Sequence, residues 1–184
     1  LKLFTSALEW QADQLTLRKT VLELLSGTVA AESKLQFRPA QLPLLDAGLI
    51  LKDINLAQID SRLRQSSIQG NVQLQAKEHH RIDFQAQLRE PRASLNADAS
   101  FLLNAAGDNG LLQLKRFELQ AEQASLVGSG EINFEGKQVF KLQAKMTQFN
   151  PAHWWLAPQG KLDGEVNVQG SLAAKVIVKL QLPG

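Results

Sequence analysis

The segment IQGNVQLQA, residues 68–76, decides the fold. Ile68, Gly70, Val72, Leu74 and Ala76 share one parity, and Gln69, Asn71, Gln73 and Gln75 hold the other. Successive side chains of a strand point to opposite faces, so this stretch is apolar on one side and wet on the other. A helix would group residues three and four apart, and the pattern does not fit that spacing. After a turn over Lys77–Arg81 the alternation returns in Ile82, Phe84, Ala86 and Leu88. It returns again in Leu95, Ala97, Ala99, Phe101 and Leu103, and in Gly130, Ile132 and Phe134. Phe140, Leu142, Ala144 and Met146 continue it, followed by Val166 and Val168, then Val176, Val178, Leu180 and Leu182. The chain reads as all-β. Its short connections make neighbouring strands antiparallel. Glu135–Gln138 reads as one hairpin loop and Asp108-Asn109-Gly110 as another. The parity slips between Leu112/Leu114 and Phe117/Leu119, which places a β-bulge at Lys115-Arg116.

Composition narrows the function classes. Of 184 residues, 20 are Lys or Arg and 18 are Asp or Glu, so the formal charge is +2. That balance lacks the basic stripe of a nucleic-acid binder. The absence of cysteine rules out disulfides, thiolate metal sites and a cysteine nucleophile. Glutamine, with 20 copies, supplies most of the polar face without strong charge. No apolar run approaches the ~18 residues of a membrane span; the longest, Leu42 to Leu56, is broken by Asp46, Lys52 and Asp53. The sequence opens at Leu1 with no charged-then-apolar leader, and reads as a piece of a longer protein.

An internal repeat is present. Asn55 to Gln75 aligns with Asn150 to Gln169 with one gap: in each, an Asn opens a short turn that leads into apolar-x-Gly-x-Val-x-apolar-Gln. The next strand follows at the same offset, and Leu15–Leu17 with Ser26–Val29 matches Phe117–Leu119 with Ser129–Ile132. The expectation is one β segment over 1–184 built of two copies of roughly 90 residues, 1–90 and 91–184, dividing near Glu90-Pro91. Asn150 is a helix cap with Pro151 at the first position, giving a short turn through His153, Trp154 and Trp155. Arg38-Pro39 to Leu45 and Asn55 to Leu63 read as similar short pieces.

These residues carry a resemblance. LILKDINLAQIDSRLRQSSIQGNVQLQA and LQAKMTQFNPAHWWLAPQGKLDGEVNVQGSL resemble the repeating units of the TamB family, within the wider AsmA-like group of bridge proteins. The likeness covers nearly the whole chain as pattern, and is most specific in the Asn-led turn followed by Leu-Asp-Gly-x-Val or Ile-Gln-Gly-x-Val. It implies an elongated, curved sheet forming an open hydrophobic groove, a β-taco. It implies a place in the periplasm of a Gram-negative bacterium, as part of an inner-membrane-anchored protein. The implied cargo is phospholipid acyl chains passing towards the outer membrane. An alternative role is assembly of nascent outer-membrane proteins with an Omp85-type partner. On this reading the groove is lined by Val72, Leu74, Ile82, Phe84, Leu88, Leu95, Phe101, Leu103 and Ile132. The lining continues through Phe134, Phe140, Leu142, Met146, Val166, Val168, Val176, Val178 and Leu180.

The alternation by itself also fits a closed sandwich with a dry core between two sheets. Small residues on the apolar parity (Ala76, Ala86, Ala97, Ala99, Gly130, Ala144) would widen a lumen. Trp154-Trp155 reads as a cover for the open end of a core or as an interfacial anchor. His79-His80 lies in a turn without a set of metal ligands. Arg89, Arg92, Lys115 and Arg116 read as solvated charges that could also meet anionic head groups. Gly-x-Ser-x-Gly and Gly-x-x-x-x-Gly-Lys are both absent, the carboxylates are scattered, and no nucleophile sits beside a base. The expectation is a non-enzyme with no cofactor.

Overall fold

In a computed structural model, the described residues are 4–39, 41–77, 80–104, 109–136, 138–153, 159–171 and 177–181. They form a single 12-stranded antiparallel sheet in which every strand pairs with its neighbours in sequence. The strands are β1 (Phe4–Gln11), β2 (Gln14–Leu24), β3 (Gly27–Arg38), β4 (Gln41–Ile54), β5 (Ile68–Lys77) and β6 (Arg81–Glu90). They continue as β7 (Ala93–Leu103), β8 (Gly110–Ala121), β9 (Ala124–Asn133), β10 (Val139–Phe149), β11 (Leu162–Ser171) and β12 (Ile177–Gln181). Two 3₁₀ turns, Leu56–Gln58 and Pro151–His153, complete the structure. At ~4.8 Å per strand the stack extends roughly 53 Å. β6 pairs with β7 through Glu90 and Ala93, so the ladder runs unbroken past Glu90-Pro91.

Register keeps the apolar parity on one face. Leu74 pairs with Phe84 and Phe84 with Ala99; Leu88 pairs with Leu95 and Leu95 with Leu119. A one-residue slip would turn a whole strand's apolar set outward, so the pairing is strongly specified. The bulge expected at Lys115-Arg116 is present: pairing jumps from Leu114 to Phe117 against β9. Others interrupt β2 between Leu17 and Thr20, β4 between Leu51 and Ile54, and β10 between Met146 and Phe149. Lys19, Asp53 and Gln148 take positive φ at these points, and such bulges bend and twist the strands that carry them. The open sheet is therefore curved.

Residues 38–45 differ from expectation. The segment from Arg38-Pro39 to Leu45, read as a short helical piece, is a turn followed by the start of β4. Period-two alternation is masked there because Leu44 and Ile50 are outward on the same strand as inward Leu45, Ala47, Leu49 and Leu51. Pro43 is tolerated because it precedes the β4–β5 pairing and lies beside the irregular step at Gln36/Arg38. The turn after Asn55 is as expected.

Buried apolar side chains lie mostly towards one end of the strands. They are Val29, Ile54, Ala93, Ala121, Met146, Phe149 and Ala152, with Ala144 midway along β10. This end lies beneath the two 3₁₀ turns. Small residues here and along the face make room for neighbours: the Phe117 ring lies so close over Gly128 that a Cβ would stand 2.6 Å from it. Gly128 thus seats a cross-strand ring. Ile54→Ala is expected to lower unfolding free energy by about 2–5 kcal/mol, as for a buried aliphatic truncation. Truncating half-exposed Leu142 should cost clearly less; denaturant unfolding of the two variants checks the difference.

Candidate functional site

The candidate site is the apolar face. Of the expected lining residues with described side chains, only Met146 is buried. Val72, Leu74, Ile82, Phe84, Leu88, Leu95, Phe101 and Leu103 are half-buried, and so are Ile132, Phe134, Phe140, Leu142, Val166 and Val168. Among the described residues no opposing sheet seals them, because all the strands belong to one ladder. Val178 and Leu180 lie on β12 opposite Val168 and Val166, which carries the parity to the last strand. Val176, Leu182, Trp154, Trp155, His79 and Asp108 lie outside the described residues. Phe134 lies just past β9, yet its ring meets Phe101 edge-on at 5.7 Å. These rings come from strands two apart and approach across Gly110, which has no side chain to separate them. The apolar rows weaken towards β1–β3, where Thr20 and Ser33 take inward positions and Ser6 and Thr20 share a 2.9 Å hydrogen bond.

The two Asn-led loops repeat each other atom for atom in their key bonds. Asn55 Oδ1 accepts from the N–H groups of Ala57 (3.1 Å) and Ser66 (3.2 Å). Asn150 Oδ1 accepts from Ala152 (3.1 Å) and Gly160 (3.4 Å). Each loop is preceded by a positive-φ residue, Asp53 or Gln148, and a buried apolar residue, Ile54 or Phe149. Each leads into a glycine at φ +148° or +138°, Gly70 or Gly164, a backbone state that disfavours any side chain. The bulges carry no compositional signature; their cue in the sequence was the shared offset to the asparagine.

Both loops lean over the same end of the apolar face. Leu56 and Leu63 from the first and His153 from the second line one cavity of about 320 Å³ with Ile68, Leu88, Leu95 and Leu119. A second cavity of about 680 Å³ adjoins it and is polar, with Asn55, Arg64, Glu90, Arg92, Asn150 and His153 on its wall. Sequence reading had found the strand rows but not this meeting of two loops whose parent strands stand six apart.

The opposite face carries amides and ion pairs. Asp83 accepts from Lys77 Nζ at 3.0 Å and Arg81 Nε at 2.7 Å, with Lys115 Nζ at 3.8 Å. Lys77 first, then Arg81, hold the Asp83 carboxyl below its usual value. Lys115 also reaches Asp98 at 3.4 Å. Lys115, expected as a solvated charge, is thus tied to two carboxylates, and Arg116 pairs with Glu118 at 3.0 Å. Among the described residues no three His, Asp or Glu side chains converge to hold a metal, and no helix is long and apolar enough to cross a membrane.

The chain matches no family model, no curated protein and no solved structure.

Asp83 yields a pH prediction. Its folded pKa is depressed, so its contribution to stability is present above the unfolded value near ~3.9 and is lost as pH falls through the lower folded value. Asp83→Asn should melt below the wild type at neutral pH, and the two melting temperatures should converge on acidification through that window. A constant offset down to strong acid would contradict the assignment.

Proposed function

We propose that the apolar face is a track for alkyl chains, and that the protein is a periplasmic bridge segment shielding phospholipid acyl chains between inner and outer membranes. The carrying observation is that from β4 to β11 the apolar rows continue from strand to strand while most of their side chains stay half-exposed, with no second layer over them among the described residues. Two acyl chains of about 15 methylenes each cost on the order of 24 kcal/mol in water at ~0.8 kcal/mol per methylene. No single polar contact offsets that; a continuous apolar surface does. The lining is mostly Val, Leu, Ile and Phe, with Met146, and its directional groups are few outside the Thr20 and Ser33 end, which suits a cargo that must move on rather than stay. The resemblance to the TamB family, stated from the Asn-led repeats, supports the same reading.

We also read the chain as two copies, 1–90 and 91–184. Support comes from the matched bulge, cap and glycine geometry at Asp53–Gly70 and Gln148–Gly164. A second reading has one observation in its favour. β1 and β12 are each paired on one side only, and β1 exposes Leu8 (64%) and Trp10 (58%). An unpaired apolar edge is suited to receiving a further strand, as in templating nascent outer-membrane proteins with an Omp85-type partner.

Native mass spectrometry of the purified protein tests the first reading. Bound phospholipid is expected, and Phe84→Glu or Ile132→Glu should reduce it at least about tenfold while the β circular dichroism persists. Lipid-free wild-type protein, or collapse of the fold in both variants, would contradict it; polypeptide adducts in its place would favour the second.

A further inference from the structure

We infer that the cationic mouth at the roofed end of the apolar face is a head-group site selective for anionic phospholipid, a proposal that rests on the alkyl-chain reading above. The apolar cavity under the two 3₁₀ turns and the polar cavity beside it share Arg64, Glu90 and His153 in their walls, so grease and charge meet at one place. Arg64 and Arg92 border the polar cavity and Arg89 the apolar one, against the single carboxylate Glu90. Two other acids belong to this region and both are engaged: Arg62 Nη2 lies 2.6 Å from Asp60 Oδ2 and holds that carboxyl down at about 2, and Asp53 Oδ1 accepts from Ser67 Oγ at 2.6 Å and from Gln69 Nε2 at 3.1 Å. The side chains of Arg64, Arg89 and Arg92 have no ion-pair partner among the described residues.

The chemistry that fits is an amphiphile with a flexible apolar tail and a net negative head. A cavity of about 320 Å³ is at the small end of ligand pockets. It accommodates the end of one chain and not a whole lipid, so the rest of the tail lies along the open face. The guanidinium fork matches phosphate oxygens in pairs. A zwitterionic head brings its own ammonium beside the phosphate and cancels much of that attraction, whereas a phosphatidylglycerol head keeps its full negative charge. The fold makes the placement possible because Arg64 rides on the loop between β4 and β5, Arg92 on the β6–β7 turn, and His153 on the loop after β10. Three separate connections thus converge on one mouth.

The test is competition between phosphatidylglycerol and phosphatidylethanolamine of identical acyl chains, supplied in equal amounts and read as the ratio of the two adducts by native mass spectrometry. Wild-type protein is expected to favour phosphatidylglycerol. At about fivefold per arginine, Arg64→Gln with Arg92→Gln should lower that ratio about twenty-five-fold while total lipid stays bound. Both positions are exposed and unpaired, so the double variant should fold, and an unchanged melting temperature checks this. Lys141→Gln, which disturbs only an outer-face pair with Glu131, should leave the ratio alone. Inorganic phosphate at equal concentration should not displace the lipid; displacement would make the site one for free phosphate and overturn the proposal. A ratio of one in the wild type, or a ratio unmoved by the double variant, also overturns it and leaves the alkyl-chain reading standing. Absence of both lipids overturns that reading itself.

Discussion

A one-layer sheet with a greasy side and no partner layer is the constraint from which the rest follows. Most antiparallel sheets resolve this by packing on helices or on a second sheet. Here every strand hydrogen-bonds only to its sequence neighbours, and the described helical content is two 3₁₀ turns. Bulges at Lys19, Asp53, Lys115-Arg116 and Gln148 bend the strands, and most described side chains of the apolar parity are half-buried. Neither full burial nor full exposure is reached along most of that face, the state that the proposed alkyl-chain track calls for.

Stability and openness are divided along the strands. Ile54, Phe149 and Ala152, all buried, lie beside or within the Asn-led loops. The remaining face gains cohesion from cross-strand contacts such as Phe101 on Phe134 and Phe117 over Gly128. The outer face adds ion pairs around Asp83 and the hydrogen bonds of its amides. Exposed pairs contribute little each, though a carboxylate shared among three cations is better placed than an isolated pair. The backbone ladder fixes register throughout, which keeps the apolar rows aligned over twelve strands.

The strands from Ile68 onward were legible because polar and charged residues, with Gln and Asn frequent among them, hold most of the outer parity, leaving the alternation readable. The bulge at Lys115-Arg116 was legible for the same reason: a slip in a clean alternation is visible. β4 was not, since Leu44 and Ile50 place apolar side chains on the outer face and Pro43 imitates a break. The positive-φ positions Asp53 and Gln148 are ordinary polar residues with no glycine to mark them. The cavity at the loop-covered end was illegible as well, because it depends on Leu56, Leu63 and His153 meeting across strands six apart. The spacing of Asn55 and Asn150 foretold the caps, and short pieces covering one end of the sheet were an expectation; that the two loops would meet over one cavity was not.

The central claim is that a hydrocarbon tail reaches the apolar face and not the polar one. Placing a photoreactive side chain in turn at Phe140, Lys141, Leu142 and Gln143 on β10, and at Glu165, Val166, Asn167 and Val168 on β11, in the presence of phospholipid, measures this directly. The account predicts lipid adducts with period two, at 140, 142, 166 and 168 alone. Adducts of equal yield on both parities, or none at these four positions, would contradict it.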